Sequence, residues 1–232
     1  MPTETPVAEA SDVEPSASEA SLAWESRALE RSLSTARDRS TARAHRLVDA
    51  ARELTAASGS QAFTVADVAA RAGVSLRSFY RHFSGKDDLL LALFEEEARL
   101  GARLLAEAVC EATGPLERLR TYVVGLFGFV VADSGYASLL VREHLQLGER
   151  RPEEMRAALA PLVDMLDVEL AAAAAAGDIR PVNHHDAIIV FSLILSHVHA
   201  AILFAPGEDM AKAAARLWEF SRAGLAPGVT HR

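Results

Sequence analysis

An all-α protein is predicted for this chain of 232 residues by three observations. Alanine, the strongest helix former, occurs 45 times, and 22 of the 24 basic residues are arginine. Apolar residues recur at intervals of three and four along most of the chain. The breaks between these stretches are short and hold Gly, Pro, Ser, Thr or Asp, which stop or cap helices. Half of the residues are hydrophobic and the net charge is −8, so the composition is that of a globular chain with a real core. The single Cys110 has no partner within the chain, which excludes a disulfide scaffold and suits a reducing cytoplasm. No basic start followed by an apolar run follows Met1, so no export signal is expected there.

Residues 1–36, rich in Ser, Glu, Ala and Pro, are expected to form an acidic disordered tail, with Leu22, Trp24, Leu29 and Leu33 as a weak helical stripe. A helix is predicted from Ser40, with Leu47, Ala50, Ala51 and Leu54 on one face and Gly59 closing it. Thr64 and Asp67 are spaced to cap a second, short helix, which Ala72 and Gly73 end; Gly73 suits the left-handed backbone of a helix C-terminus. Ser75 caps a third helix, through Phe83. Asp87 and Asp88 suit the first turn of a long helix to about Glu111. Gly114 and Pro115 restart the chain for a helix to about Asp133. Helices are then expected at Tyr136 to Leu147, Pro152 to Ala176, Asn183 to Phe204 and Glu208 to Ala223. The run Ala187 to Ala205 has no Asp, Glu, Lys or Arg and is long enough to span a bilayer, but its two His, two Ser and acidic flanks favour a helix buried in protein on all sides.

The net charge is unevenly spread. Residues 1–36 carry 2 basic and 7 acidic groups, residues 37–90 carry 9 and 6, and residues 91–232 carry 13 and 19. One locally basic module inside an acidic protein suits a polyanion that touches only that module. Within it, the two short helices joined at Gly73 describe a helix-turn-helix, in which the second helix presents its N-terminal side chains to base edges in the major groove. Leu76, Arg77 and Ser78 form that tip, and Arg77 can donate two parallel hydrogen bonds to guanine O6 and N7. On spacing alone, a packed helical pair with a solvated arginine remains the alternative. Upstream, Arg37, Arg39, Arg43 and Arg46 are either an edge against phosphates or a solvated helix start, with Arg43 favoured because it lies within the predicted helix.

The stretch from Arg46 to Leu90, RLVDAARELTAASGSQAFTVADVAARAGVSLRSFYRHFSGKDDLL, resembles the N-terminal domain of the TetR family of transcriptional regulators. The resemblance rests on Ala50, Ala51, Leu54 and Gly59, on the turn from Thr64 to Ser75, and on Phe79, Tyr80, His82, Phe83, Lys86 and Leu89. It implies that Thr64, Ser75, Tyr80, His82 and Lys86 contact the phosphate backbone and that Leu76, Arg77 and Ser78 read bases. Arg77 stands where the family often has a small residue. The implied organisation is residues 37–90 as DNA-binding domain, residues 91–225 as a helical ligand-binding and dimerisation domain, and residues 226–232 as a short tail.

The resemblance also implies a homodimer built on the last two long helices, for which Ile194, Val198, Ala201, Leu217, Trp218 and Phe220 are the expected contacts. It implies a ligand cavity among the helices after the DNA module. Phe94, Phe127, Phe129, Met155 and Met165 are candidate lining residues, with Arg142 and His144 as polar contacts and Gly125 and Gly128 opening its wall. An apolar effector would suit such a lining. No metal site is expected, since His197 and His199 are two apart on a helix and point in different directions. No nucleotide-binding, nucleophile-elbow or zinc-protease motif occurs, so neither a catalytic site nor a cofactor is expected. The sequence therefore reads as a cytoplasmic, ligand-responsive regulator that binds a palindromic double-stranded DNA operator as a homodimer. The reading adds that it represses, that a small-molecule effector releases it, and that no membrane is involved. The alternative is a helical small-molecule-binding protein without sequence-specific DNA binding.

Overall fold

The computed structural model describes residues 17–58, 63–204 and 207–227. Among them lie nine helices and no strand: α1 Ala17–Ser58, α2 Val65–Arg71, α3 Leu76–Tyr80, α4 Lys86–Glu111, α5 Pro115–Ala132, α6 Ser134–Arg150, α7 Pro152–Ala175, α8 His184–Phe204 and α9 Met210–Leu225. The chain divides into two units, residues 1–45 and residues 46–232.

The first unit corrects an expectation. Residues 17–36 are helical as part of α1, where a disordered tail was predicted; residues 1–16 lie outside the described residues. No Gly or Pro interrupts the chain between Pro15 and Gly59, and the strong helix formers Ala, Arg, Leu and Glu make up most of it, so local propensity favours the helix. Trp24 and Leu33 are exposed, and the side chains of Leu22 and Leu29 lie outside the described residues.

In the second unit, the remaining part of α1 buries Leu47, Val48, Ala50 and Ala51. The long helices form a bundle in which α5 is central, packed against α4, α6, α7, α8 and α9. That position explains why α5 is apolar on every face from Thr121 onward: Tyr122, Val123, Leu126, Phe127 and Val130 are all buried. The Tyr122 hydroxyl donates to the Leu162 carbonyl at 2.7 Å and Arg118 pairs with Glu169 at 2.8 Å, which fixes α5 on α7. At Asp133 the chain turns by 102° from α5 into α6. The Asp133 carboxylate accepts from the Tyr136 N–H at 3.0 Å and so starts α6 earlier than the expected Tyr136.

Helix α8, with a mean hydropathy of 2.3, is the one described helix long and apolar enough to cross a membrane. It is not surrounded, as its composition suggested: Ala187, Val190, Ile194, Val198 and Ala201 face inward, whereas Ile188, Ile189, Leu203 and Phe204 are exposed. The two glycines of α5 also do other work than expected. A Cβ on Gly125 would lie 2.7 Å from a Leu105 methyl, so this glycine lets α4 and α5 touch, and Gly128 faces open space.

Candidate functional site

The helix-turn-helix is assembled by local hydrogen bonds that its sequence specifies. Thr64 accepts from the Asp67 N–H at 3.2 Å, and Asp67 accepts from the Thr64 N–H at 2.8 Å, which is a capping box at the start of α2. The Thr64 hydroxyl, which donates to the Asp67 carboxylate, and then the Thr64 N–H hold the exposed Asp67 carboxyl below its usual pKa. At the other end, Gly73 at φ 65° lets its own N–H reach the Ala70 carbonyl (3.2 Å) and the Val74 N–H reach Ala69 (2.9 Å). These are the two bonds of a Schellman turn. Ser75 then caps α3 by accepting from the Ser78 N–H at 3.1 Å.

Helix α3 has a buried side and a free side. Phe79 is fully buried and packs against Phe83, with ring centroids 5.7 Å apart and planes tilted by 42°, anchoring the helix from behind. Leu76, Arg77 and Tyr80 face outward, with Leu76 48% and Tyr80 58% exposed. The Tyr80 ring is held edge-on to Phe79 at 5.3 Å, so its phenol points away from the core. Helix α3 ends at Tyr80, short of the expected Phe83, because the His82 N–H tightens onto the Phe79 carbonyl three residues back.

The remaining expected DNA contacts are placed less uniformly. Ser75 uses its oxygen as a cap and keeps its O–H for donation, whereas the Thr64 hydroxyl donates to Asp67 at 2.7 Å. Ser78 is half-buried and its hydroxyl accepts from Arg81 at 3.1 Å. Lys86 opens α4 with its ammonium 4.9 Å from the centre of the Phe63 ring, a cation–π contact. His82 lines a cleft of about 370 Å³ with Leu91, Glu95 and Arg151, between α4 and α7. Arg43 is exposed on the part of α1 that belongs to the first unit. Two module arginines are bound to carboxylates, Arg71 to Glu53 at 2.6 Å and Arg52 to Asp49, Glu96 and Glu97. Arg81, exposed one turn after Arg77, was missed by the sequence reading, although its spacing of four from Arg77 was a visible signal.

The expected ligand residues do not converge on one cavity. Phe94, Phe127 and Met155 are closed in the core, where Phe94 meets Tyr136 at 6.3 Å and Phe127 meets His197 at 5.3 Å. Phe129 borders a cavity of about 280 Å³ near α1, and His144 borders a cleft of about 140 Å³ between α6 and α8. Burial pushes the His144 imidazole pKa down, toward the neutral form. Arg142 and Met165 are half-buried and border none of these spaces. The expected dimer contacts also need correction. Ile194, Val198, Ala201, Leu217 and Trp218 are buried inside their own subunit, and only Phe220, 70% exposed, is free to meet a partner. The 3.6-residue period places both faces of α8 in the same apolar class, so composition could not tell its inner face from its outer one.

Residues 47–93 match the model of the bacterial regulatory proteins of the tetR family. This stretch is similar to the TetR-family DNA-binding domain. Its match spans the capped α2, the Gly73 turn and the anchored α3, so the TetR helix-turn-helix is the one described above. The fatty acid metabolism regulator protein of Bacillus subtilis (strain 168) is 25% identical over 134 residues, 58% of this chain and 69% of that protein. The transcriptional regulator FadR from Bacillus subtilis, solved in complex with stearoyl-CoA, has a TM-score of 0.65 at 21% identity, over 78% of this chain and 98% of that one. The fatty acid degradation regulator FadR from Bacillus halodurans has a TM-score of 0.67 at 21% identity, over 82% and 97%. The all-α fold of a TetR regulator thus extends through the helices beyond residue 93. TetR proteins are DNA-binding transcriptional regulators and not enzymes.

Proposed function

We propose that this protein is a homodimeric repressor that holds a palindromic operator in the cytoplasm and releases it when a ligand with a long apolar chain binds. The observation that carries the DNA side is the free face of α3: Arg77 and Tyr80 project outward from a helix that Phe79 and Phe83 fix in place. A fixed helix presenting a guanidinium suits base reading, because a bidentate bond needs a defined angle. Thr64, Ser75, Tyr80, His82, Lys86 and Arg43 are the proposed phosphate contacts, with Arg81 added to them. The outward residues of α8 and α9, among them Ile189, Phe204 and Phe220, are the proposed dimer face.

Support for the ligand class comes from the stearoyl-CoA held by the similar FadR and from the apolar interior around α5. Phe94 and Phe127 fill that interior here, so an acyl chain has to part α4 from α5 and α7 to enter. Helix α4 begins at Lys86, directly after the reading helix, so parting it changes the setting of α3. A ligand that binds only the parted shape shifts the protein away from the DNA-bound one.

The test is fluorescence anisotropy of the protein with DNA from upstream of its own gene and with scrambled DNA, at two salt concentrations. Tighter binding to the upstream fragment is expected. Arg77→Ala should weaken it by about 1–3 kcal/mol while leaving the scrambled fragment little changed. Stearoyl-CoA should then release the specific complex, with coenzyme A alone as control. Equal affinity for both DNAs, confirmed by selection from a random pool, would sink the repressor reading; release by neither compound would sink the ligand class alone.

A further inference from the structure

A cavity of about 280 Å³ lies between the second-unit part of α1 and helices α4, α5 and α6, apart from the interior around α5 that the acyl reading uses. Its existence follows from one close contact. A Cβ on Gly135 would lie 2.3 Å from the Thr55 carbonyl oxygen, so α6 touches α1 backbone to backbone at its first turn. Helices that meet at a point diverge on either side of it, and the cavity occupies the divergence. Its volume is near the lower end, about 300 Å³, of small-molecule sites.

The lining is divided by chemistry. Leu93, Leu100, Phe129 and Ala132 supply an apolar wall. Arg52, Thr55, Glu97, Asp133 and Tyr136 supply the polar groups. All three nitrogens of the Arg52 guanidinium already donate to carboxylates: to Glu97 at 2.6 Å, to Asp49 at 2.7 Å and to Glu96 at 2.9 Å. With Asp133 also at the wall, the lining carries one guanidinium against two carboxylates, Glu97 and Asp133, and the field in the cavity is negative. The Tyr136 hydroxyl takes no hydrogen-bond partner among the described residues, while its backbone N–H is spent on Asp133. Burial, and next to it the charge on Glu97, push the Tyr136 phenol well above its ordinary pKa, so it is present as the neutral phenol.

We infer that this cavity binds a small primary amine with an apolar body, whose ammonium donates to the Tyr136 hydroxyl and the Glu97 carboxylate while the body lies on Leu93, Leu100 and Phe129. An anion of the same size is repelled by the Glu97 and Asp133 carboxylates and finds the lining guanidinium already engaged by carboxylates. The assignment stands apart from the acyl-chain reading, which concerns an anionic ligand in a different part of the bundle.

Isothermal titration calorimetry on the full-length protein tests it, with 2-phenylethylamine, 2-phenylethanol and 3-phenylpropionate as cationic, neutral and anionic probes of matched size. The amine should saturate one site per chain, the alcohol should bind at least about tenfold more weakly, and the acid should give no binding heat. Tyr136→Phe should weaken the amine by about tenfold or more, since a hydrogen bond to a charged group contributes about 1.5–3 kcal/mol. Ala132→Leu, which fills the wall from a position already exposed, should abolish binding with an unchanged melting temperature. Equal binding of acid and amine, absence of heat with every probe, or wild-type amine affinity in both variants would overturn the assignment.

Discussion

Gly73 and Gly135 are both indispensable, for opposite reasons. Gly73 has open space around its missing Cβ and a φ of 65°, so its demand is purely conformational. Gly73→Ala should lower stability by roughly 1–2 kcal/mol, the cost of placing an L-residue in the left-handed region. Gly135 sits in an ordinary helix, but a side chain there would strike the Thr55 carbonyl at 2.3 Å. Gly135→Ala should cost about 1–3 kcal/mol, toward the upper end because the obstructing atom is backbone and has little room to yield. Urea denaturation of both variants measures the two effects, and a neutral Gly135→Ala would show that α6 does not meet α1 this closely. Only the first glycine was legible in the sequence. Its neighbours Ala72 and Ser75 reveal a helix end and a helix start, whereas the need for Gly135 arises from a residue far away in the chain.

Between elements, the beginning of α4 is fastened to the junction of α6 and α7 by two ion pairs, Arg150 with Asp87 at 3.1 Å and Arg151 with Asp88 at 2.7 Å. Asp88 also accepts from the Ser84 N–H and hydroxyl, both at 3.0 Å, which closes the turn leading out of the helix-turn-helix. The Ser84 N–H first, and then Arg151, hold the Asp88 carboxyl below its usual 3.8. A carboxyl with a depressed folded pKa stabilises the fold at pH values above the unfolded one and loses that contribution as pH falls through the folded one. Stability should therefore hold with respect to Asp88 down to about pH 4 and decline below it. In Asp88→Asn the protein should be less stable at pH 7 and the two proteins should converge in acid, as thermal melts across pH 2–7 would read. A constant difference across that range would exclude the ionised carboxylate as the cause. Helix limits were mostly legible at this scale because caps are local, as Thr64, Ser75 and Pro115 show. The exceptions are α1, which local propensity extends back to Ala17, and α3, which stops early when its last turn tightens.

At the scale of the whole molecule, the outward face of α8 carries Ile188, Ile189, Leu203 and an 81% exposed Phe204, and α9 adds Phe220. An apolar stripe of this extent on a folded chain marks a surface that another molecule covers. The repressor reading makes that molecule a second copy, so the 24.9 kDa chain should sediment as a dimer. The double variant Ile189→Glu, Phe220→Glu should sediment as a monomer with unchanged helix content and bind the operator weakly, since each half-site then contributes alone. Dimeric sedimentation of that variant would place the interface elsewhere.

What the sequence by itself determined is the helical class, the order of the elements and the reading helix with its capped neighbour. These depend on propensity, period and capping within a few residues, and the family's pattern is densest there, between residues 47 and 93. Only the tertiary structure decided which face of α8 turns inward, why α5 needs Gly125, and where α1 and α6 part to leave a charged cavity. Those features come from side chains and backbones distant in sequence, and helices that are apolar all round carry no local mark of which neighbour each face will meet.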